Sequence, residues 1–399
     1  MTPSLKQLLR EVLPRNPFYA HKFAGLDLDD FAQFPFTTKA ELVADQQAHA
    51  PYGSALTYPR ERYCRLHQTS GTSSGRPLRW LDTAESWDWL LGCWQAIYGR
   101  LGLRADDVLY FAFSFGPFLG FWTAFEAAGR LGHLVLPGGG QTSTARLRFL
   151  LEHRATVVCC TPTYALHLAE LAAKEGIDLA TSPVRMLIVA GEPGGSIPAT
   201  RARIEAVWGA RVIDHYGMTE VGPVAVEPFD QPGQLAVLED RFVAEFIDPE
   251  TAAPATDGSP AELVLTNLGR HGSPLIRYRT GDLVKGRRAD DGMLFLDGGI
   301  LGRTDDMLHV RGNNLYPAAI EAVVRRFPEV AEFRILVDHT GPLADLSLEI
   351  EPTTPTAGLA ELVARAIRDE LLFRVEVAAV APGTLPRYEM KARRVVVRS

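Results

Sequence analysis

From residue 84 to residue 214 short apolar runs alternate with longer amphipathic ones, and this alternation is what most limits the folds open to the chain. It reads as helix Glu85–Arg100, strand Val108–Phe113, helix Phe121–Arg130, strand His133–Val135, helix Ser143–Glu152, strand Thr156–Cys160, helix Tyr164–Glu175, strand Met186–Val189, helix Ala199–Trp208 and strand Arg211–Asp214. Strands separated by helices are joined by right-handed crossovers, which predicts a mostly parallel sheet covered on both faces. Beyond Gln231 the strands Gln234–Leu238, Phe242–Ile247, Glu262–Thr266 and Met293–Leu296 follow without long helices, so a smaller β element is expected beside the sheet. Residues 1 to 60 read as helical and irregular. There FPFTTKAELVAD (Phe34–Asp45) has a capping-box pattern, with Glu41 three residues after Thr38. Past Gly302–Asp306, helix Pro317–Arg326, strands around Glu332–Asp338 and Leu346–Glu351, helix Ala357–Phe373 and strand Val375–Val380 make a compact α+β unit. The expected α/β architecture is a large N-terminal domain (1–302) of mostly parallel sheets covered by helices plus a small β element. A hinge (303–306) joins it to a small α+β C-terminal domain (307–399).

Charge narrows the partners. With 41 Lys plus Arg against 48 Asp plus Glu, the net charge is −7, and no cationic excess is available to neutralise a nucleic-acid backbone. Apolar residues at 46% and charged residues at 22% are the composition of a globular chain rather than a disordered one. Val108–Phe125 has no charge over 18 residues and reaches the lower length limit of a membrane span. Gly116-Pro117 interrupts it, however, and Asp106, Asp107 and Glu126 flank it, so a buried strand, loop and helix start are expected and no membrane partner. Lys6, Arg10 and Glu11 leave no apolar core for a signal peptide. Cys64, Cys93, Cys159 and Cys160 lack metal-ligand spacing, and the adjacent pair reads as strand packing. The expectation is a reduced, cytoplasmic protein.

Several segments carry chemistry. In QTSGTSSGRPLRW (Gln68–Trp80) the small or hydroxylated run through Ser70, Gly71, Thr72, Ser73, Ser74 and Gly75 cannot build a core. It can fold backbone N–H groups into a concave nest, with Arg76 as a mobile cation, which suits a polyphosphate. No Gly-Lys-Ser/Thr follows, so this is not a Walker loop, and a solvent loop has the same composition. Tyr216, before Gly217, offers a flat ring for an adenine, or simply packs a loop. Thr219 and Glu220 set a hydroxyl beside a carboxylate, and a carboxylate is the hard oxygen ligand magnesium requires. Asp282 follows Thr280-Gly281; a turn aspartate also serves to bond its own backbone. AGEPGG (Ala190–Gly195) follows a strand, at the carboxyl edge where open α/β sheets bind ligands. Arg303 and Asp305 stand at the domain boundary, where a charged linker would look alike. Lys391 lies in a basic tail with Arg393, Arg394 and Arg398. Tyr110, Phe111, Phe113, Phe115 and Phe118 run into a loop with Gly116, Pro117 and Gly120. The period of two puts Phe111, Phe113 and Phe115 on one face, suited to a planar ring or to core packing.

Taken in order, QTSGTSSGRPLRW, HYGMTE (His215–Glu220), RYRTGDL (Arg277–Leu283), GRTDDMLHVRGNNLYPAAIE (Gly302–Glu321) and LPRYEMKARR (Leu385–Arg394) closely resemble the motif series of the adenylate-forming superfamily. That superfamily comprises acyl-CoA synthetases, peptide-synthetase adenylation domains and luciferases. FPFTTKAEL, TPTYAL (Thr161–Leu166), AGEPGG and the compact length resemble its phenylacetate-CoA ligase branch. The resemblance implies a two-step ligase: an acid attacks the α-phosphate of magnesium ATP, giving an acyl-adenylate and pyrophosphate, and a thiol then displaces AMP. It assigns Ser70–Arg76 to the phosphates, Gly191, Glu192 and Pro193 to the adenine pocket, and Asp214, His215, Tyr216, Gly217 and Met218 to the nucleotide. Thr219 would meet the α-phosphate, Glu220 the magnesium ion, Asp282 the ribose hydroxyls and Arg303 the nucleotide. Asp305 would be the hinge. His309 and Val310 would lead a strand and tight loop, with Arg311 and Gly312 on the thiol path. Lys391 would be catalytic together with Thr219 and Glu220, its ammonium stabilising charge that develops on oxygen. Met390 stands where the family usually has glycine. Tyr110, Phe113, Phe115 and Gly116 would wall a pocket for an aryl or arylacetic acid. Coenzyme A is the default thiol; a carrier-protein phosphopantetheine or an amine in natural-product biosynthesis are alternative acceptors, and a non-catalytic nucleotide-binding regulatory protein is the non-enzyme alternative. Members of this branch are often dimers, which leaves a homodimer open.

Overall fold

The Thr38 hydroxyl accepts from the Glu41 N–H, and the Glu41 carboxylate accepts in return from the Thr38 N–H at 2.7 Å, so the capping box closes helix Lys39–Ala48 as the sequence predicts. Such caps are worth about 1 kcal/mol each. The structure, a computed structural model, describes residues 1–69, 77–256, 258–310, 313–338, 345–388 and 392–398. Among the described residues no helix is long and apolar enough to cross a membrane. The uncharged stretch divides into strand Val108–Phe111, bends, and helix Trp122–Arg130. The chain packs as two units: residues 1–140 with 213–299, and residues 141–212 with 300–399. The division expected from the sequence, a domain of residues 1–302, a hinge at 303–306 and a domain of residues 307–399, is taken up below as a proposal.

In the first unit, strands Val108–Phe111 and Leu134–Pro137 pair in parallel. The hairpin Arg211–Met218 and Gly222–Val226 is antiparallel, with His215 opposite Val226. Strands Gln234–Val237, Leu294–Asp297, Tyr278–Arg288, Pro260–Asn267 and Phe242–Ile247 extend it in that order, each antiparallel to its neighbour. The strands expected past Gln231 form as predicted, and they continue the hairpin edge to edge, because each strand supplies the next with free backbone groups. Strands Tyr63–Gln68 and Arg79–Thr83 form a separate antiparallel pair.

In the second unit, strands Val157–Cys160 and Met186–Val189 are parallel and wholly buried, with helices Ser143–Glu152, Pro162–Lys174 and Pro198–Trp208. Cys159 and Cys160 pack inside, as their apolar run predicts. The C-terminal residues form a four-stranded sheet in the order Glu376–Ala379, Asp345–Pro352, Val330–Asp338, Val395–Arg398, antiparallel in the middle and parallel at both edges. Helices Pro317–Val324 and Leu359–Leu371 complete this α+β layer over a core that includes Ile320, Val324, Phe333, Ile335, Ile350 and Val363.

Candidate active site

Two groups of the residues singled out by sequence assemble, one in each unit. In the first unit, Tyr216 on strand Arg211–Met218 donates its hydroxyl to Asp282 Oδ2 at 2.6 Å, and both are buried. The Asp282 turn is built locally: Gly281 has φ +75°, the left-handed region that glycine enters without strain, and the Asp282 N–H donates to Thr280 Oγ1 at 3.0 Å. Thr280 Oγ1 donates in turn to the Leu263 carbonyl at 2.7 Å, which ties the turn to the neighbouring strand. Gly217 is required sterically, since a Cβ there would lie 2.8 Å from the Gly222 carbonyl oxygen. Asp214 is buried and accepts from the His215 N–H at 3.0 Å. His215 stacks on Trp94 with centroids 4.4 Å apart, and burial pushes its pKa down to about 3, so the imidazole is neutral at pH 7.

Thr219 and Glu220 are held by a residue the sequence reading did not select. Arg270, fully buried, donates Nη1 to the carbonyls of Thr219 and Glu220 at 2.8 and 2.9 Å. Its Nε and Nη2 grip both oxygens of buried Asp82 at 2.6 Å. One guanidinium thus fixes the backbone of the Thr219–Glu220 pair while its charge is matched inside the protein. Lys39 was also missed as a site residue: its Nζ lies 3.8 Å from Glu220 Oε1. Magnesium keeps several waters and takes one or two carboxylates plus substrate phosphates. The buried carboxylate of Glu220 fits that demand, and among the described residues no larger cluster of carboxylates, histidines and cysteines competes for an ion.

The aromatic segment departs from its expected geometry. The strand ends at Phe111, two residues short, so alternation no longer governs Phe113 and Phe115. Their rings instead pack together at 4.4 Å, with Phe113 against Phe121 and Phe115 against Trp122 and Phe125. Tyr110 is fully buried, whereas Phe113, Phe115 and Gly116 are half-exposed. The Gly116 carbonyl accepts from Trp122 Nε1 at 3.1 Å, and the Gln68 N–H donates to the neighbouring Pro117 carbonyl at 2.6 Å. Ser70–Arg76 lie outside the described residues; the hairpin that carries them closes through two hydrogen bonds between Thr69 and Leu78.

In the second unit, Gly191 has φ +96° and starts the turn after strand Met186–Val189. Glu192 is half-buried, and both of its oxygens are taken by backbone: Oε1 accepts from the Thr163 N–H at 2.9 Å and Oε2 from the Ala392 N–H at 2.7 Å. Burial raises its pKa, although Arg394 and these N–H donors oppose the rise. Pro193 is exposed beside it. Arg303 and Asp305 pair with each other, Nε to Oδ1 at 2.8 Å and Nη2 to Oδ2 at 3.2 Å. Strand Leu308–Val310 forms where a strand was expected. Arg311, Gly312, Met390 and Lys391 lie outside the described residues.

One strand thus carries Tyr216, bonded to Asp282, and leads directly into the half-exposed Thr219 and the buried Glu220. The AMP-binding enzyme model matches residues 80–268, and the AMP-binding enzyme C-terminal domain model matches residues 312–398. The phenylacetate-coenzyme A ligase of Thermus thermophilus is 32% identical over 98% of this chain and 94% of its own length, and that of Escherichia coli is 31% identical over 99% and 93%. The crystal structure of 2-hydroxyisobutyryl-CoA ligase in the postadenylation state, in complex with 2-HIB-AMP, superposes with a TM-score of 0.92 at 28% identity, covering 99% of this chain and 88% of that one. The chain belongs to the adenylate-forming, AMP-binding enzyme family, in the branch of the phenylacetate-coenzyme A ligases.

Proposed function

We propose that this enzyme, an AMP-forming acid–thiol ligase, activates a small aryl or arylacetic acid and transfers it to coenzyme A. The acid's carboxylate oxygen attacks the α-phosphorus of ATP, the bond to the β-phosphate oxygen breaks, and pyrophosphate leaves. The thiol sulfur then attacks the acyl carbon and AMP departs. The observation that carries the reading is the 2.6 Å bond between Tyr216 and Asp282, 66 positions apart: it presents a flat ring next to a carboxylate able to accept from ribose hydroxyls. Thr219 meets the α-phosphate, and Glu220 would hold magnesium, which supplies charge neutralisation on the phosphates. Lys391 offsets charge on the reacting oxygens, so chemistry rests on positioning and electrostatics. Phe113, Phe115 and Gly116 border the acyl group. Asp305 is the pivot between residues 1–302 and 307–399, and Arg311 and Gly312 border the thiol path. Four cysteines without disulfides are in keeping with a reducing, cytoplasmic setting, and a homodimer is the assembly proposed.

The test is a panel of substituted benzoates and arylacetates with ATP, magnesium and coenzyme A, read by pyrophosphate release and by mass of the thioester. Acid-dependent pyrophosphate with a coenzyme A thioester supports the proposal. Adenylate without thioester, discharged only onto a carrier protein or an amine, overturns the acceptor; no pyrophosphate with any acid overturns the enzyme class for this chain.

A further inference from the structure

His215 is a buried imidazole for which the protein supplies no hydrogen-bond partner. Neither Nδ1 nor Nε2 meets a donor or acceptor among the described residues, and only 9% of the residue is exposed. It stands on strand Arg211–Met218, where the period of two turns it to the face opposite Tyr216. On that face it stacks on Trp94 of helix Ala84–Gly99, with centroids 4.4 Å apart. Trp94 lies 6.1 Å from Phe121, Phe121 lies 5.4 Å from Phe113, and Phe113 packs on Phe115 at 4.4 Å. A row of rings therefore runs from the half-exposed Phe113 and Phe115, proposed above to border the acyl group, inward to His215. The imidazole also lies against Gly217, where an added Cβ would be 3.1 Å from its Cε1, so it has little room to swing toward another partner. Burial keeps the ring neutral at pH 7, with one nitrogen a donor and the other an acceptor. An unpaired polar atom inside a protein costs its full desolvation, and a phenylalanine would pack on Trp94 without that cost. The two nitrogens thus point to a group that arrives with the substrate.

We propose that His215 is a specificity residue of the acyl pocket, and that the acid it selects carries a hydroxyl or amino group on its ring, remote from the carboxylate. The inference rests on the placement of the acyl group beside Phe113 and Phe115 made above. Thr219, proposed to meet the α-phosphate, follows His215 by four residues, at most about 13 Å along extended chain. A substituent that reaches the imidazole therefore sits at the far end of a small aryl acid whose carboxylate reacts beside Thr219. Because no partner fixes the tautomer, either nitrogen can carry the proton, which suits substituents that both donate and accept. A site with an unpaired buried polar group discriminates strongly, since an acid lacking the matching group leaves that cost in place.

The test compares one aryl acid bearing a hydroxyl, an amino or a methyl group at the same ring position, each isomer in turn, by acid-dependent pyrophosphate release. The methyl group matches the other two in size but makes no hydrogen bond. Wild type is expected to favour the hydroxyl- or amino-substituted acid over its methyl counterpart by about ten- to hundredfold in kcat/KM. His215→Phe, which keeps a ring on Trp94, should bring that ratio to about one or below with KM for ATP little changed. His215→Gln, which retains a donor and an acceptor, should keep part of the preference. A wild-type ratio near one at every ring position overturns the proposal whether or not the variants fold, and so does an unchanged ratio in folded His215→Phe. A raised KM for ATP in His215→Phe with the ratio unmoved would assign the side chain to the nucleotide instead and overturn the proposal. Pyrophosphate release with the methyl-substituted acids alone overturns this inference and leaves the ligase reading standing. No pyrophosphate with any acid overturns the ligase reading and this inference with it.

Discussion

Arg270→Met is the perturbation whose consequences the structure specifies most fully. It keeps the bulk of a long side chain but leaves both oxygens of Asp82 buried without their cation and removes two donors from the carbonyls of Thr219 and Glu220. Removing one partner of a buried pair costs about 3–5 kcal/mol, mostly for the stranded charge. The two lost carbonyl bonds add about 1 kcal/mol each, and stability should fall by roughly 5–7 kcal/mol in urea titration. Adding Asp82→Asn removes the stranded charge, so the double variant should regain most of that stability. It should not regain adenylation, because the Thr219–Glu220 backbone is still unheld, and pyrophosphate release should stay at least tenfold below wild type. Recovery of both stability and rate in the double variant would refute the claim that Arg270 positions the pair. Loss of stability with no loss of rate in Arg270→Met would refute it equally.

Other outcomes follow from the same geometry. Tyr216→Phe keeps the ring but removes the 2.6 Å bond to Asp282, and a lost hydrogen bond of about 1 kcal/mol should raise KM for ATP about fivefold with the acid's KM unmoved, measured by initial rates. Burial lowers the pKa of His215 to about 3 and of His67 to about 4; both lie below the unfolded value, so their stability contribution is complete above pH 6.5 and is lost as pH falls toward those values. Melting followed from pH 7 to pH 5 should therefore show about 2 kcal/mol lost per imidazole, and His215→Phe should lessen the slope. Asp305→Pro should spare pyrophosphate release and slow thioester formation in single-turnover experiments, as a stiffened pivot would; equal loss in both steps would count against the pivot.

What could be read from the sequence was what repeats or clusters. Strand–helix alternation located the helices between residues 84 and 208 to within about two residues, whereas helices Pro3–Val12 and Pro17–Lys22 lie in a stretch read only as helical and irregular; the Thr38–Glu41 cap was legible because its partners are three residues apart. Alternation misplaced Phe113 and Phe115 because the strand stops at Phe111, where ring packing against Phe121 and Trp122 takes over from the pleat. Asp82 and Arg270 are 188 positions apart and belong to no pattern, yet they hold the Thr219–Glu220 backbone. Lys39 was quoted in FPFTTKAEL, but only folding puts its ammonium 3.8 Å from Glu220. Glu192 illustrates the same gap: its motif indicated a ligand edge, while the structure spends both oxygens on backbone N–H groups of this chain.

The most direct test of the central claim is acid-dependent pyrophosphate release by Lys391→Ala beside the wild-type enzyme, with ATP, magnesium and the preferred acid from the panel. The account predicts a rate lower by roughly two to three orders of magnitude, the usual effect of deleting one preorganised charge, with ATP binding retained. Pyrophosphate release at the wild-type rate would contradict it.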